Sequence, residues 1–152
     1  MTSMKLQACV FSLLMLTACA PKASVQTDEE GIRAVLNRYF STWSARDMEG
    51  YSSCFQPQAR IFYLAADGKL TNQALTDFLH EQRMTHEQAT SPMSEKPLEI
   101  RLQGDARVAQ AAVTWVLTIG PKQITGTDFF TLQRDGAQWK IVSLVFYGDV
   151  KS

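Results

Sequence analysis

Asp128 sits in the run Ile124-Thr125-Gly126-Thr127-Asp128-Phe129-Phe130-Thr131-Leu132. A period of two places it on the same side as Ile124, Phe130 and Leu132. A carboxylate on an apolar face loses hydration, which favours its neutral form and raises its pKa. A neutral carboxylic acid can donate a hydrogen bond to negative charge developing on a bound carbonyl. The alternative is a structural acid satisfied by Tyr39, Tyr147 or a water. Other chemistry-bearing residues are sparse. His80 and His86 are the two histidines, and a spacing of six turns them to different sides of a helix. That is unlike a His-x-x-x-His metal pair, and no Cys-x-x-Cys accompanies them. Neither a metal nor a cofactor is expected. His80 either faces the interior from its helix or stands in solvent. No Gly-x-Ser-x-Gly elbow, phosphate loop or dinucleotide fingerprint occurs, so acyl hydrolysis and nucleotide chemistry have no support.

The elements that must position Asp128 follow from periodicity. Thr27-Asp28-Glu29-Glu30 fits a capping box. Behind it, Ile32, Val35, Leu36, Tyr39, Phe40 and Trp43 form the stripe of a long amphipathic helix. Asp47 can cap a short helix through Tyr51 to Phe55, which Pro57 stops. Arg60 to Ala65 reads as a strand and Asp67-Gly68 as a tight turn. Thr71 or Asn72 can cap a third helix carrying Leu75, Phe78 and Leu79. His86 to Lys96 reads as a polar loop. Four strands follow, over 98–103, 108–119, 124–133 and 139–147, separated by Gly104-Asp105, Gly120-Pro121 and Asp135-Gly136. The order helix, helix, strand, helix and four antiparallel strands, with the three helices gathered on one face of an antiparallel sheet, predicts an α+β domain. Ala109, Ala111, Val113, Trp115 and Leu117 form a wholly apolar strand face, and both faces of the last strand are apolar. Helices cover one side of the sheet, so a homodimer through the other is expected.

The N-terminus supplies an address. Leu16-Thr17-Ala18-Cys19 closes an apolar run that is too short to span a bilayer, and it resembles the lipobox of a bacterial lipoprotein. The resemblance implies a signal over 1–18, lipid on Cys19, a tether over 19–27 and a domain over 28–150. Ala20, which is not an aspartate, implies the outer membrane, facing the periplasm. The alternative is an ordinary signal cut after Ala18 or Ala20. The chain has 15 basic and 15 acidic residues. Loss of Lys5 with the signal leaves a mature charge near −1, which offers nucleic acid no footprint. Cys9 leaves with the signal and Cys19 is acylated, so Cys54 stands alone and no internal disulfide is expected.

The element order, the segment Arg38-Tyr39 through Asp47, Tyr51 and Phe55, and the closing Asp135-Gly136-Ala137-Gln138-Trp139-Lys140-Ile141 resemble the nuclear transport factor 2-like superfamily. The likeness is to its ketosteroid-isomerase-like and SnoaL-like bacterial branch, over about residues 28–148. The resemblance implies helices packed on a curved antiparallel sheet around a cone-shaped apolar pocket, often in a dimer. It places Tyr39 beside Asp128 as a candidate oxyanion hole, the arrangement known in ketosteroid isomerase. The isomerase's basic aspartate has no counterpart, since Phe62 or Tyr63 falls at its position. The expected pocket lining is Tyr39, Trp43, Tyr63, Phe78, Asp128, Phe130 and Tyr147. Two functions fit: a membrane-anchored domain that binds a small apolar ligand or a protein partner without catalysis, or an isomerase, cyclase or dehydratase with Asp128, Tyr39 and His80 as candidate catalytic groups.

Overall fold

A computed structural model describes residues 23–149, with side chains from residue 28 onward. Cys19 and the expected signal lie outside the described residues. Helix α1 (Ala23–Ser44) buries Ile32, Leu36, Tyr39, Phe40 and Trp43, the face its stripe predicts. The helix begins ahead of Thr27, so the capping box lies inside it and does not start it. Helix α2 (Met48–Ser52) is capped as expected, with Asp47 Oδ1 accepting the Gly50 N–H at 2.8 Å. A side chain at Gly50 would collide with that carboxylate and with Thr42.

Beyond α2 the structure departs from the sequence reading. Helix α2 ends at Ser52 instead of reaching Phe55, and strand β1 (Phe55–Leu64) starts at once. Pro57 falls between Phe55 and Arg60, where the pairing register shifts, so its missing N–H breaks no ladder there. Residues expected to cap a helix instead form strand β2 (Leu70–Ala74), paired with β1 across the Asp67-Gly68 turn. Helix α3 (Leu75–Gln88) starts at Ala74 with no side-chain cap and continues through His86. Strand β3 (Met93–Gly104) starts five residues ahead of the expected Leu98, so the long polar loop contracts to 89–92. Strands β4 (Val108–Ile119), β5 (Lys122–Asp135) and β6 (Gln138–Gly148) close the chain.

The sheet has six strands in the order β2-β1-β6-β5-β4-β3. All neighbours are antiparallel except β1 and β6, which run parallel. The expected α+β class holds, with two corrections. The sheet is mixed, because the chain returns its last strand alongside its first. The third helix follows two strands where one was expected, because 70–74 forms β2.

Two contacts fix α1 on this sheet. At its N-terminal end Asp28 pairs with Arg134, whose guanidinium lies 5.8 Å from the Trp139 ring centroid. At its last residue the Ser44 hydroxyl donates to the Glu95 carbonyl (3.0 Å) and accepts the Glu95 N–H (2.8 Å). One hydroxyl thus stitches the helix end to β3 at Glu95. Ser44→Ala leaves that half-buried N–H without its partner, at a cost of about 1–3 kcal/mol. A denaturant titration that shows an undiminished midpoint would contradict this role.

Candidate functional site

The inner face of the sheet is built by alternation. On β4, Ala109, Ala111, Val113 and Trp115 point toward the helices, as do Asp128, Phe130 and Leu132 on β5; all are buried. Ile124 shares their side but is exposed near the start of β5. Trp115 pairs with Gly126 across the β4–β5 ladder. A Cβ at Gly126 would collide with the Trp115 ring and the Tyr147 carbonyl. The bare glycine lets the indole lie flat across β5, and its Nε1 donates to Asp128 Oδ1 at 2.6 Å. Asp128 Oδ2 is buried with no hydrogen-bond partner.

Asp128 is 2 % exposed, and its pKa is raised well above the carboxylate range. Burial is the main cause and the charge of Glu95 the second; the Trp115 indole and the Tyr39 hydroxyl pull the other way without prevailing. Burial thus favours the neutral acid, and a proton carried on Oδ2, the oxygen without a hydrogen-bond partner, would point a donor into the interior. Half-buried Glu95 approaches the same interior from β3, its backbone held by the Ser44 stitch. Burial lifts its pKa to about 7, so it exchanges protons near neutrality. Tyr39 and Tyr51 are both buried and have pKa values well above 10, chiefly through burial, so both remain hydroxyls. The polar end of the interior is thus two carboxyl groups, two phenols and an indole.

Rings pack the rest of the interior. Tyr39 lies 4.8 Å from Tyr51, 5.1 Å from Phe130 and 5.9 Å from Phe55, centroid to centroid. Phe78 of α3 contacts Tyr51, Phe55 and Phe146 at 6.0–6.3 Å. Tyr63, 41 % exposed, stacks on Phe146 at 5.1 Å and marks the rim. Trp43 donates through Nε1 to Gln82 and packs 4.4 Å from the buried ring of His86. Neither His86 nitrogen has a partner, and burial followed by the charge of Arg46 lowers its pKa.

The structure brings together most of the residues that the sequence selects. Tyr39, Trp43, Phe78, Asp128 and Phe130 are buried on the interior side, and Tyr63 sits at its edge. His80 is exposed on α3 and lies outside the group. Tyr147 faces the opposite side of the sheet, 6.3 Å from Phe129. The cause is a bulge: Leu132 pairs with Ile141 and Thr131 with Ser143, so Val142 is an extra residue that reverses the alternation of β6. Phe146, the cross-strand partner of Asp128, takes the inward place. Glu95, Tyr51, Trp115 and Phe146 were not selected. Glu95 lies in the stretch read as loop; the signal for it is the run Met93-Ser94-Glu95-Lys96-Pro97, whose odd members face inward beside Leu117 and Trp115. Among the described residues, no three His, Cys, Asp or Glu side chains converge as metal ligands.

The raised acids make stability depend on pH in a defined direction. Above the ordinary Glu pKa of 4.5 the unfolded chain releases a proton that native Glu95 keeps up to about 7. The native state therefore holds more protons across that window, and this contribution to stability falls as pH rises through it. Asp128 acts in the same direction; His86, with its lowered pKa, acts oppositely below about 6.5. Glu95→Gln should reduce the loss of melting temperature between pH 5 and pH 7 relative to the parent. Calorimetry that gives identical slopes for the two proteins would remove Glu95 from the interior.

Comparisons with known proteins agree with this architecture. Curated protein sequences give no match. Among solved structures, a protein of unknown function from Mycobacterium tuberculosis superposes with a TM-score of 0.72 at 19% identity, covering 88% of this chain and 79% of that one. A nuclear transport factor 2-like protein of unknown function from Shewanella baltica gives 0.62 at 22% identity, covering 86% of this chain and 100% of that one. A structure from Novosphingobium aromaticivorans, described as "Putative Scytalone Dehydratase", gives 0.69 at 12% identity, covering 84% and 87%. These likenesses establish the nuclear transport factor 2-like fold. The family model described as "Putative lumazine-binding" matches residues 27–147, and the chain belongs to that family.

Proposed function

We propose that this chain is a lipid-anchored envelope protein, held by acyl chains on Cys19 and facing the periplasm, whose domain binds a small, largely apolar molecule with a hydrogen-bond acceptor. The observation that carries the binding role is Asp128, an acid with one oxygen bonded to Trp115 and the other buried without a partner. An unpaired buried polar atom costs about 1–3 kcal/mol, and a ligand acceptor meeting the Oδ2 proton would relieve it. The surrounding rings supply apolar contact and exclude water. Because they fill the interior, entry requires Tyr63 at the rim, and Phe146 against it, to yield. The family description names lumazine, which is the first probe to try.

The second reading is an enzyme of the isomerase, cyclase or dehydratase kind. Glu95 favours it, because a carboxyl group at about pH 7 supplies the base that the sequence lacked, opposite a neutral acid and phenol donors. The "Putative Scytalone Dehydratase" neighbour is consistent with such chemistry on this fold. For quaternary structure, we assign the outer face of the sheet to a second copy, since Phe129 is 46 % exposed there beside Tyr147.

Lumazine fluorescence titrated with the detergent-purified chain should show saturable quenching. Asp128→Leu, which removes the donor, should weaken binding by about tenfold or more, as expected for one buried hydrogen bond to a polar ligand, whereas Asp128→Asn, which keeps a donor at the same place, should largely retain it. No quenching, together with a bare mass for the protein isolated from its own envelope, would end the binding reading. Turnover that depends on both Asp128 and Glu95 would favour the enzyme. The anchor is tested separately. Radiolabelled palmitate should enter the parent chain and be absent from Cys19→Ser, and label retained by the variant would refute lipidation at that residue.

A further inference from the structure

Outside the aromatic interior, a second site lies on the other side of α1. Gly31, Ala34, Val35 and Arg38, spaced along one helix face, form one wall of a groove of about 460 Å³. The opposite wall is the start of β6, with Trp139 and Lys140, and the junction at Ser53. The small side chains of α1 open the trough, and Trp139 supplies an apolar floor. A groove of this size is in the range that small organic ligands occupy.

Two cations converge on it. Neither Arg38 nor Lys140 has a carboxylate partner among the described residues, although four other ion pairs form on this surface. The Lys140 ammonium donates to the Ser53 carbonyl, which fixes its head at the groove and leaves two of its three protons free. The nearby carboxylate of Asp47 is already engaged in capping α2. The charges of Arg38 and Lys140 both reach the Cys54 thiol in the same wall.

A third donor is idle. The Trp139 indole N–H is buried and has no acceptor, whereas Trp43 donates to Gln82 and Trp115 to Asp128. A Cβ at position 31 would stand 3.1 Å from Trp139 Cδ1 and 3.4 Å from Nε1. Only the absence of a side chain at Gly31 keeps the idle edge of the indole next to the groove. Two unpaired cations, one unpaired indole and an apolar floor are complementary to a carboxylate on an apolar body.

We propose that this groove is a second ligand site, independent of the Asp128 interior, that takes a small aromatic or aliphatic carboxylate. The carboxylate lies between Arg38 and Lys140 and the body over Ala34 and Trp139. The three indoles report it separately. In a ¹⁵N-labelled sample of the full chain in nonionic detergent, benzoate should shift the Trp139 indole resonance saturably and leave that of Trp115 in place. Toluene, which lacks the charge, should not. Arg38→Gln and Lys140→Gln should each weaken binding by about tenfold, as loss of one charge-assisted contact implies. The proposal is overturned by a flat titration, by a shift that survives the double variant, or by movement of Trp115 in place of Trp139. A response to phosphatidylglycerol vesicles without one to benzoate would reassign the groove to a lipid headgroup and overturn the free-carboxylate site. None of these outcomes bears on lumazine binding, which reads out at Asp128.

Discussion

The hydrogen bond from the Trp115 indole to Asp128 organises the interior of this domain. It crosses from one strand to the next over a glycine, and that crossing sets three things together. Asp128 is held away from water, Trp115 is laid flat as a wall, and no side chain larger than hydrogen is admitted at position 126. With one oxygen occupied by a neutral donor and the other facing rings, the acid has little reason to ionise. The tyrosines that share the space are pushed the same way, and burial favours the uncharged form of each.

Glu95 turns this from a single buried acid into a pair. Two carboxyl groups that share a desolvated region resist ionising together, and once one has lost its proton the other holds its own more tightly. The two are supported differently. Asp128 is fixed by an indole inside the sheet, whereas the backbone of Glu95 is fixed by the last hydroxyl of α1. The proton affinity of the interior therefore depends on how the helix end sits against β3. Any motion that parts Ser44 from β3 changes the environment of the more readily ionised member first.

Much of this was legible in the sequence, and what was not has identifiable causes. The stripe of α1 and the inward set of β4 and β5 follow from unbroken periods of 3.6 and 2, and these expose Tyr39, Trp43, Asp128 and Phe130 to sequence reading. A single extra residue, Val142, reverses the alternation of β6 and exchanges Phe146 for Tyr147. Leu98 does the same in β3, where the register shifts between Pro97 and Glu99 and leaves Leu98 63 % exposed. Bulges leave no compositional mark that a period can detect. Glu95 was missed because Pro92 and its polar neighbours read as loop, when the edge position of β3 tolerates both. β2 was missed because Thr71 and Asn72 suit a helix cap as well as an edge strand. Trp115 was seen as apolar mass, and its N–H acquired a role only once Gly126 was opposite.

The place of β6 has a consequence for biogenesis. It is the last strand in the chain, yet it lies in the middle of the sheet, parallel to β1 on one side and antiparallel to β5 on the other. Until it arrives, β1 and β2 form an isolated ribbon that has no ladder to the remaining strands. A polypeptide that lacks β6 can pair β3, β4 and β5 with one another but cannot join them to β1 and β2. The two halves of the sheet are therefore joined only once β6 is available, and the parallel β1–β6 ladder closes over the longest separation of any strand pair in the sheet.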